Sequence, residues 1–426
     1  MNNTSIGNPP KDFAVLPFYA AGAIFFLGLS LLMFLAAGRF QEHFFQGQTL
    51  ALVHAAALGW GTMIIFGAAY QLLPVICEKD LFSSKLAFIS FWSLLVGTIL
   101  LVGTFWHFKT GQIMIYGGSF IFIAALLYNI NVFKTANIAN AFSIKKAFLI
   151  GSALWLLATS VVGLLLAINL AFPFFSKNHL EILKIHAHIG LAGWFLQLIT
   201  GVSTRLVPMF LLGKSNKNKL LSAALILQNL ALIGFISDQY FYGNSNRVYI
   251  YFILVSVGVF CWLLYLRDVY IHRIKKKTEI QMKQSLLSFV FLVLGLIVIP
   301  VLISLSDVRW STLYGIFLFL GWISSLILGK TFKTLPFIIW NRHYKSLHGK
   351  MKLPLPKDLY NERWLRYQFW IFIAAMSILC VGVLIDELLI IRVGLFTWII
   401  VAILYVLNVA KVLLHKPITH SNGNSN

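Results

Sequence analysis

Long apolar runs separated by short polar stretches recur along the whole chain. Each run has roughly 20 residues or more, which is the length that an α-helix needs to cross the hydrocarbon core of a bilayer. Backbone groups cannot stay unpaired in lipid, so runs of this kind must be helical. The pattern predicts an all-α integral membrane protein with twelve transmembrane helices, at approximately residues 14–37, 49–76, 86–106, 111–133, 147–172, 182–212, 220–240, 247–270, 286–305, 310–340, 366–385 and 391–414.

Three of the predicted spans, the second, sixth and tenth, carry the same residues at the same spacing. The copies read His54, Gly59, Trp60, Gly67, Pro74; His188, Gly193, Trp194, Gly201, Pro208; and Ile316, Gly321, Trp322, Gly329, Pro336. A motif that returns at every fourth span is typical of an internal repeat. We therefore predict three pseudo-symmetric groups of four helices, at about residues 14–133, 147–270 and 286–414, within a single membrane domain covering residues 1–426.

The first position of the motif, which we call the head position, differs from the later positions in the direction of its side chain and in its residue type. On an ideal α-helix, which turns by about 100° per residue, Trp, the second Gly and Pro form one stripe, and the head residue points nearly the opposite way. Glycine lets membrane helices approach closely, so the stripe predicts helix packing. The head position holds histidine in two copies, His54 and His188, and isoleucine in the third, Ile316.

The chain has a high positive charge, and its basic residues are unevenly distributed. Hydrophobic residues make up 59% of the sequence, charged residues 11%, and the net charge is +21. With twelve spans, both termini and every second loop share one face. Of the 34 Lys and Arg residues, seven lie on the opposite face, three lie inside helices and the rest on the terminal face. This positive-inside pattern predicts a multi-pass protein of the inner (plasma) membrane with both termini in the cytoplasm.

The basic loops predict contact with membrane lipids rather than with nucleic acid. Runs such as Arg273–Lys277 lie beside the predicted membrane surface, where anionic lipid attracts them. Neither this run nor Arg342–Lys357 belongs to a recognisable nucleic-acid-binding module, so we exclude nucleic acid as a partner. The three cysteines stand singly, which excludes a disulfide framework and a zinc motif.

Histidines inside predicted spans are the candidate functional residues. Ionisable groups in a membrane are costly and therefore indicate function, and imidazole is a common metal ligand, including for haem iron. We predict His54 and His188 as cofactor and metal ligands, and His186 as a further metal ligand. His186 faces about 200° away from His188 on the same helix.

The chain resembles subunit I of the haem–copper oxidase superfamily. The resemblance lies in twelve helices in three groups, with a histidine at the outer end of the second. The stretch from Leu52 through His54 to Gly67–Pro74 is similar to helix 2 of C-type oxidases and nitric oxide reductases. The resemblance implies that His54 is an axial ligand of a low-spin haem b, and that respiratory proteins or a second copy of the chain are partners. A weaker likeness, to NnrS-type membrane proteins, rests on architecture and histidine placement.

The departures from that family are informative. The family takes its second low-spin ligand and its high-spin haem ligand from helix 10, but the tenth span here contains no histidine. The seventh span also lacks the adjacent histidine pair that completes the family's copper site. With these departures, the resemblance implies a scaffold of that family that lacks the copper and high-spin haem centre. We expect no terminal oxidase or nitric oxide reductase activity, and other enzymatic activity stays open.

Three functions are consistent with these residues. A haem protein would use His54 and His188, which could converge on one haem or face separate spaces. If they face separate spaces, a haem with one histidine ligand and an open position is favoured. A transporter would place polar side chains along a path, and the candidates are Arg205, Lys333, Asn129, Asn169 and Asn408. A copper-handling or respiratory-complex assembly protein would use soft or borderline ligands, namely His186, His188, Met209 and Met63.

Overall fold

The computed structural model describes residues 8–137, 143–305, 307–347, 349 and 353–417. In that part of the chain, twelve helices are long and apolar enough to cross a membrane: α1 Asp12–Leu35, α2 Gly47–Cys77, α3 Ser84–Trp106, α4 Gln112–Ala136, α5 Ile144–Ala171, α6 His179–Leu211, α7 Asn218–Tyr242, α8 Val248–Ile271, α9 Ile280–Ser304, α10 Val308–Leu347, α11 Glu362–Leu384 and α12 Leu388–Leu413. The predicted all-α fold with twelve spans is confirmed. The largest boundary differences are at the start of α9 and the end of α10.

The outer surface of the bundle is apolar, as a lipid-facing surface must be. Large side chains such as Ile24, Trp92 and Phe396 are more than half exposed. A multi-pass membrane protein follows, whereas the identity of the membrane and the side of the termini stay predictions. We call the end at which α2, α6 and α10 begin the histidine side, and the end at which they finish the proline side.

The three motif helices form the centre of the bundle. Among the twelve spans, α2, α10 and α6 have the largest buried shares of their apolar windows, at 72%, 67% and 56%. The indole Nε1–H of Trp60 on α2 donates to Ser324 Oγ on α10 at 2.9 Å. The same atom of Trp194 on α6 donates to Thr62 Oγ1 on α2 at 3.1 Å. Each acceptor lies eight residues after the head position of its own copy, so these bonds run around a common axis.

The third bond of this cycle is missing. Trp322 on α10 is buried, and its Nε1–H has no hydrogen-bond partner in the described part of the chain. The residue of α6 that corresponds to Thr62 and Ser324 is Leu196, which cannot accept a hydrogen bond. The pseudo-threefold arrangement is therefore closed at two of its three junctions.

The first motif glycine of each copy lets the preceding helix approach closely. A Cβ atom on Gly59 would lie 2.5 Å from Phe25 of α1, on Gly193 2.7 Å from Trp155 of α5, and on Gly321 2.5 Å from Phe291 of α9. These three contacts are equivalent, and they confirm that the motif glycines serve packing. The assignment of the outer helices to three groups of four stays a prediction.

Each motif helix contains a π-helical segment that begins at or just after its head position. The segments are Ala55–Thr62, Ile189–Leu196 and Ile316–Ser324. A π-helix closes its hydrogen bonds over five residues rather than four, so each residue turns through a smaller angle. The predicted angles between the head residue and the later motif positions, which assume an α-helix, are therefore wrong across this segment.

Candidate functional site

His54 lies seven residues into α2, near the histidine side. Its Nδ1 is 2.7 Å from the carbonyl oxygen of Leu50, one turn earlier on the same helix. The imidazole lies nearly parallel to the ring of Phe105 on α3, with 4.6 Å between ring centroids. The residue as a whole is only partly buried.

His188 has equivalent surroundings one repeat later. Its Nδ1 is 2.8 Å from the carbonyl oxygen of Lys184, again one turn earlier. Its ring packs against Phe235 of α7 at a centroid distance of 4.6 Å. The pseudo-symmetry thus turns His54 toward α3 and His188 toward α7. Of the two predicted arrangements, the different ring partners of the two head histidines favour separate spaces over convergence on one cofactor.

His186 meets His54 instead. The two imidazole centroids are 6.4 Å apart and the ring planes differ by 18°. His186 Nδ1 is 3.1 Å from the carbonyl oxygen of Thr159 on α5. Because His186 faces away from His188 on α6, its ring is turned back toward α2. The imidazole that lies beside His54 is therefore that of His186, which the sequence predicted as a metal ligand, and not that of His188.

A glycine on α5 makes room for this arrangement. A Cβ atom on Gly163 would lie 2.8 Å from Cε1 of His186, which is closer than real atoms pack. Sequence reasoning missed Gly163, because it lies outside the repeated motif and no neighbouring residue marks it.

The backbone carbonyls fix the protonation pattern of all three imidazoles. A carbonyl oxygen only accepts, so each Nδ1 carries the proton and donates. A neutral imidazole then has a free electron pair on Nε2, which is the form that binds metals. Among the described residues, none forms a hydrogen bond with Nε2 of His54, His186 or His188.

The spacing of His54 and His186 fits two imidazoles on one metal ion. Metal–nitrogen bonds of about 2 Å, with each nitrogen about 1 Å from its ring centre, give centroids about 6 Å apart. Within the described ranges, no three His, Cys, Asp or Glu side chains come together. A donor set of two imidazoles suits haem iron, to which the porphyrin itself supplies the four other nitrogens.

The predicted copper ligands do not form one site. His186 and His188 face different neighbouring helices, as described above. Met209 is 45% exposed, and it lies 21 residues beyond His188, about 30 Å along α6. Met63 is fully buried in α2. The four candidate copper ligands therefore lie in different parts of the structure, and copper binding stays a prediction.

A polar cluster at the histidine side holds the start of α2. The guanidinium of Arg39 donates to Gln48 Oε1 at 2.6 Å and to Glu42 Oε2 at 2.6 Å. This contact lowers the pKa of the Glu42 carboxyl below its usual value, mainly through the hydrogen bond from Arg39. A Cβ on Gly47 would meet the carbonyl oxygen of Phe105 at 2.6 Å, so α2 begins in close contact with the end of α3. Both features position His54 beside Phe105.

The polar residues predicted for a transport path have separate structural partners. Asn129 donates to backbone carbonyls on α4 and α5. Asn169 accepts from backbone N–H groups after α5, and Asn408 bonds with the backbone just before α11. Lys333 forms an ion pair with Glu279, and Arg205 is exposed. The partners of these residues lie in different parts of the bundle.

Comparison with known proteins gives two similarities. The chain is 25% identical to an uncharacterized protein of Aquifex aeolicus (strain VF5) over 358 residues, which cover 83% of this chain and 85% of that protein. It is 39% identical to the Cbb3-type cytochrome c oxidase subunit CcoN1 of Stutzerimonas stutzeri over 59 residues, which are 14% of this chain and 12% of that subunit. No protein-family model matches. The short match agrees with the resemblance to haem–copper oxidase subunit I, and over most of its length the chain is similar to a relative whose name states no function.

Proposed function

We propose that the protein binds haem between α2 and α6, where His54 and His186 would hold the haem iron. The observation that carries the proposal is the imidazole pair, 6.4 Å apart with nearly parallel planes, each ring held through Nδ1 by a backbone carbonyl. The short similarity to a cytochrome c oxidase subunit supports the choice of haem over another metal group.

Two histidines on the iron would leave no free position for oxygen or nitric oxide, so the chemistry that the group would supply is electron transfer. The chain's own contribution is orientation. The carbonyls of Leu50 and Thr159 hold the two Nδ1–H groups and keep Nε2 of each ring available. Phe105 covers one face of His54. This version replaces the expectation of a single-histidine haem with an open position.

We infer no terminal oxidase or nitric oxide reductase activity. The head position of α10 is Ile316, and the single histidine of α10 up to Leu347, His343, lies beyond Pro336 at the proline side. Helix α7 contains no histidine. These two helices therefore do not supply the family's remaining ligands. An electron carrier in this scaffold would have respiratory membrane proteins as partners. The charge distribution supports an inner-membrane location with the proline side in the cytoplasm.

An absorption spectrum tests the proposal. The full chain, expressed with added haem and purified in detergent, should show a Soret band and, after reduction, the sharp visible bands of a six-coordinate low-spin haem. His54→Ala and His186→Ala should each abolish this spectrum.

His188→Ala is the matched control, because His188 has the same local hydrogen bond but faces α7. It should leave the spectrum unchanged. Absence of a Soret band in the wild type would refute haem binding. Loss of the band in His188→Ala with retention in His186→Ala would refute the ligand pair.

A further inference from the structure

A cavity of about 100 Å³ lies between the three motif helices in the half of the bundle toward the proline side. Helices α1 and α9 complete its wall. Its wall is almost entirely apolar, as the walls of small-molecule sites usually are.

The repeat itself builds this cavity. In all three copies, the residues 10, 11, 14, 15 and 18 positions after the head residue line it. Those at position 14, for example, are Ala68, Val202 and Lys330. Equivalent positions from every copy can share one cavity only if it lies on the pseudo-threefold axis. The substitution of lysine for a small apolar residue in the third copy therefore places an amine on that axis.

The hydroxyl groups of the wall are already engaged. Thr334 bonds with Tyr19, and Thr331 with Tyr405, both at 3.0 Å. Ser203 accepts from Trp262 at 2.9 Å. These groups hold helices together and have little capacity left for a ligand.

Lys330 is different, because its contacts are weak. Its Nζ is 3.5 Å from the thioether sulfur of Met282 and lies 4.9 Å from the centre of the Phe210 ring. No carboxylate of the described residues pairs with it, whereas the nearby Lys333 pairs with Glu279. A cation in apolar surroundings is costly without a counter-charge, so this site favours an anion.

We propose that the axial cavity binds an anionic amphiphile of the fatty-acid class. The carboxylate would pair with Lys330, and the hydrocarbon chain would lie against apolar wall residues nearer the histidine side, such as Ile64, Leu198 and Ile323. An inorganic anion would gain nothing from the apolar wall, and a neutral lipid would leave the amine without a partner. The site is separate from the histidine pair and does not depend on haem.

Equilibrium binding of radiolabelled palmitate and of hexadecanol to the delipidated, detergent-purified full chain tests this. The wild type should bind palmitate at least tenfold more tightly than hexadecanol, because only palmitate can pair with the amine. Lys330→Met keeps the length of the side chain and removes its charge. It should lose that preference, with hexadecanol binding unchanged.

Lys333→Met is the matched control, since it removes a neighbouring lysine that does not line the cavity. It should bind palmitate as the wild type does. Ala68→Phe, which fills the cavity from α2, should weaken binding of both probes, and it tests the site even if Lys330→Met fails to fold. Equal affinities of the wild type for palmitate and hexadecanol, or unchanged palmitate binding in Lys330→Met or Ala68→Phe, would overturn the proposal. The haem spectrum of Lys330→Met should match the wild type, which separates this site from the haem site.

Discussion

Substitution of Gly163 by alanine should weaken haem binding without a direct contact to the haem. The added Cβ would lie 2.8 Å from Cε1 of His186, 3.4 Å from Nδ1 and 3.6 Å from Nε2. Carbon atoms pack best at about 3.5–4.0 Å, so the ring must move by about 0.7 Å or more. The hydrogen bond from Nδ1 to Thr159, 3.1 Å long, would stretch or break as a result.

The expected size of the effect follows from this displacement. A hydrogen bond of this type contributes about 1 kcal/mol, and loss of a residue that orients a metal ligand typically lowers metal affinity by about 10–100-fold. We therefore expect the haem dissociation constant of Gly163→Ala to rise about 10–100-fold. Titration of the purified haem-free protein with haem, followed at the Soret band, measures it.

Gly190→Ala is the control for this experiment. Gly190 faces the same α5 residue, Thr159, but a Cβ there would make an ordinary contact of 3.4 Å. This variant should bind haem like the wild type. If Gly163→Ala bound haem with unchanged affinity and spectrum, the inferred role of His186 would be refuted even though haem binding itself stood.

Three further predictions concern the scaffold. Ser324→Ala removes the hydrogen-bond acceptor of the buried Trp60 indole and should lower the free energy of unfolding in detergent by about 1–3 kcal/mol. An unchanged free energy of unfolding would contradict a stabilising hydrogen bond between Trp60 and Ser324. Gly329→Ala would place a Cβ 2.6 Å from the carbonyl oxygen of Gln281 and should lower the free energy of unfolding by about 1–3 kcal/mol. Gly103→Ala, which has open space around it, should lower it far less. Equal melting temperatures of the two variants would contradict close packing of α9 on α10. Burial, together with His343 and Lys411 nearby, holds the pKa of His415 below its usual value. The neutral imidazole, which contacts the Tyr344 hydroxyl at 2.8 Å, is favoured in the fold, so its contribution to stability is present above about pH 6.5 and falls as the pH drops below it. The melting temperature of the wild type should therefore fall more between about pH 8 and about pH 5.5 than that of His415→Gln, and parallel curves would contradict this.

The length of the apolar runs was sufficient to predict the twelve helices, because membrane thickness fixes the length of a span. The repeated glycines also predicted close packing correctly, since a residue without a side chain at a fixed spacing has few other uses in lipid. Both predictions rest on local properties of the sequence. Neither needs the order of the helices around the bundle.

The histidine pair was harder to predict, because it depends on that order. The angle between His186 and His188 on α6 correctly placed them on different faces. It gave no information on whether α2 or another helix lies opposite His186. The prediction of His54 and His188 as cofactor ligands followed the repeat rather than the space between helices. The π-helical segments have no residue signature of their own, so the turn they add was also missed. Gly163 is recognisable only once His186 is known to face it.

The missing acceptor at Leu196 makes the junctions around the axis mechanically unequal. Helix α2 is tied to both other motif helices by directional bonds, which fix its rotation. Among the residues that the structure describes, no hydrogen bond ties α6 to α10, and Lys330 on α10 reaches α6 only through the face of the Phe210 ring. Contacts of this kind have little angular preference, so the rotation of α6 against α10 is less restrained than that of either helix against α2. A bundle that is symmetric in its sequence motif thus has one junction without a directional bond among the described residues, and the axial amine lies beside it.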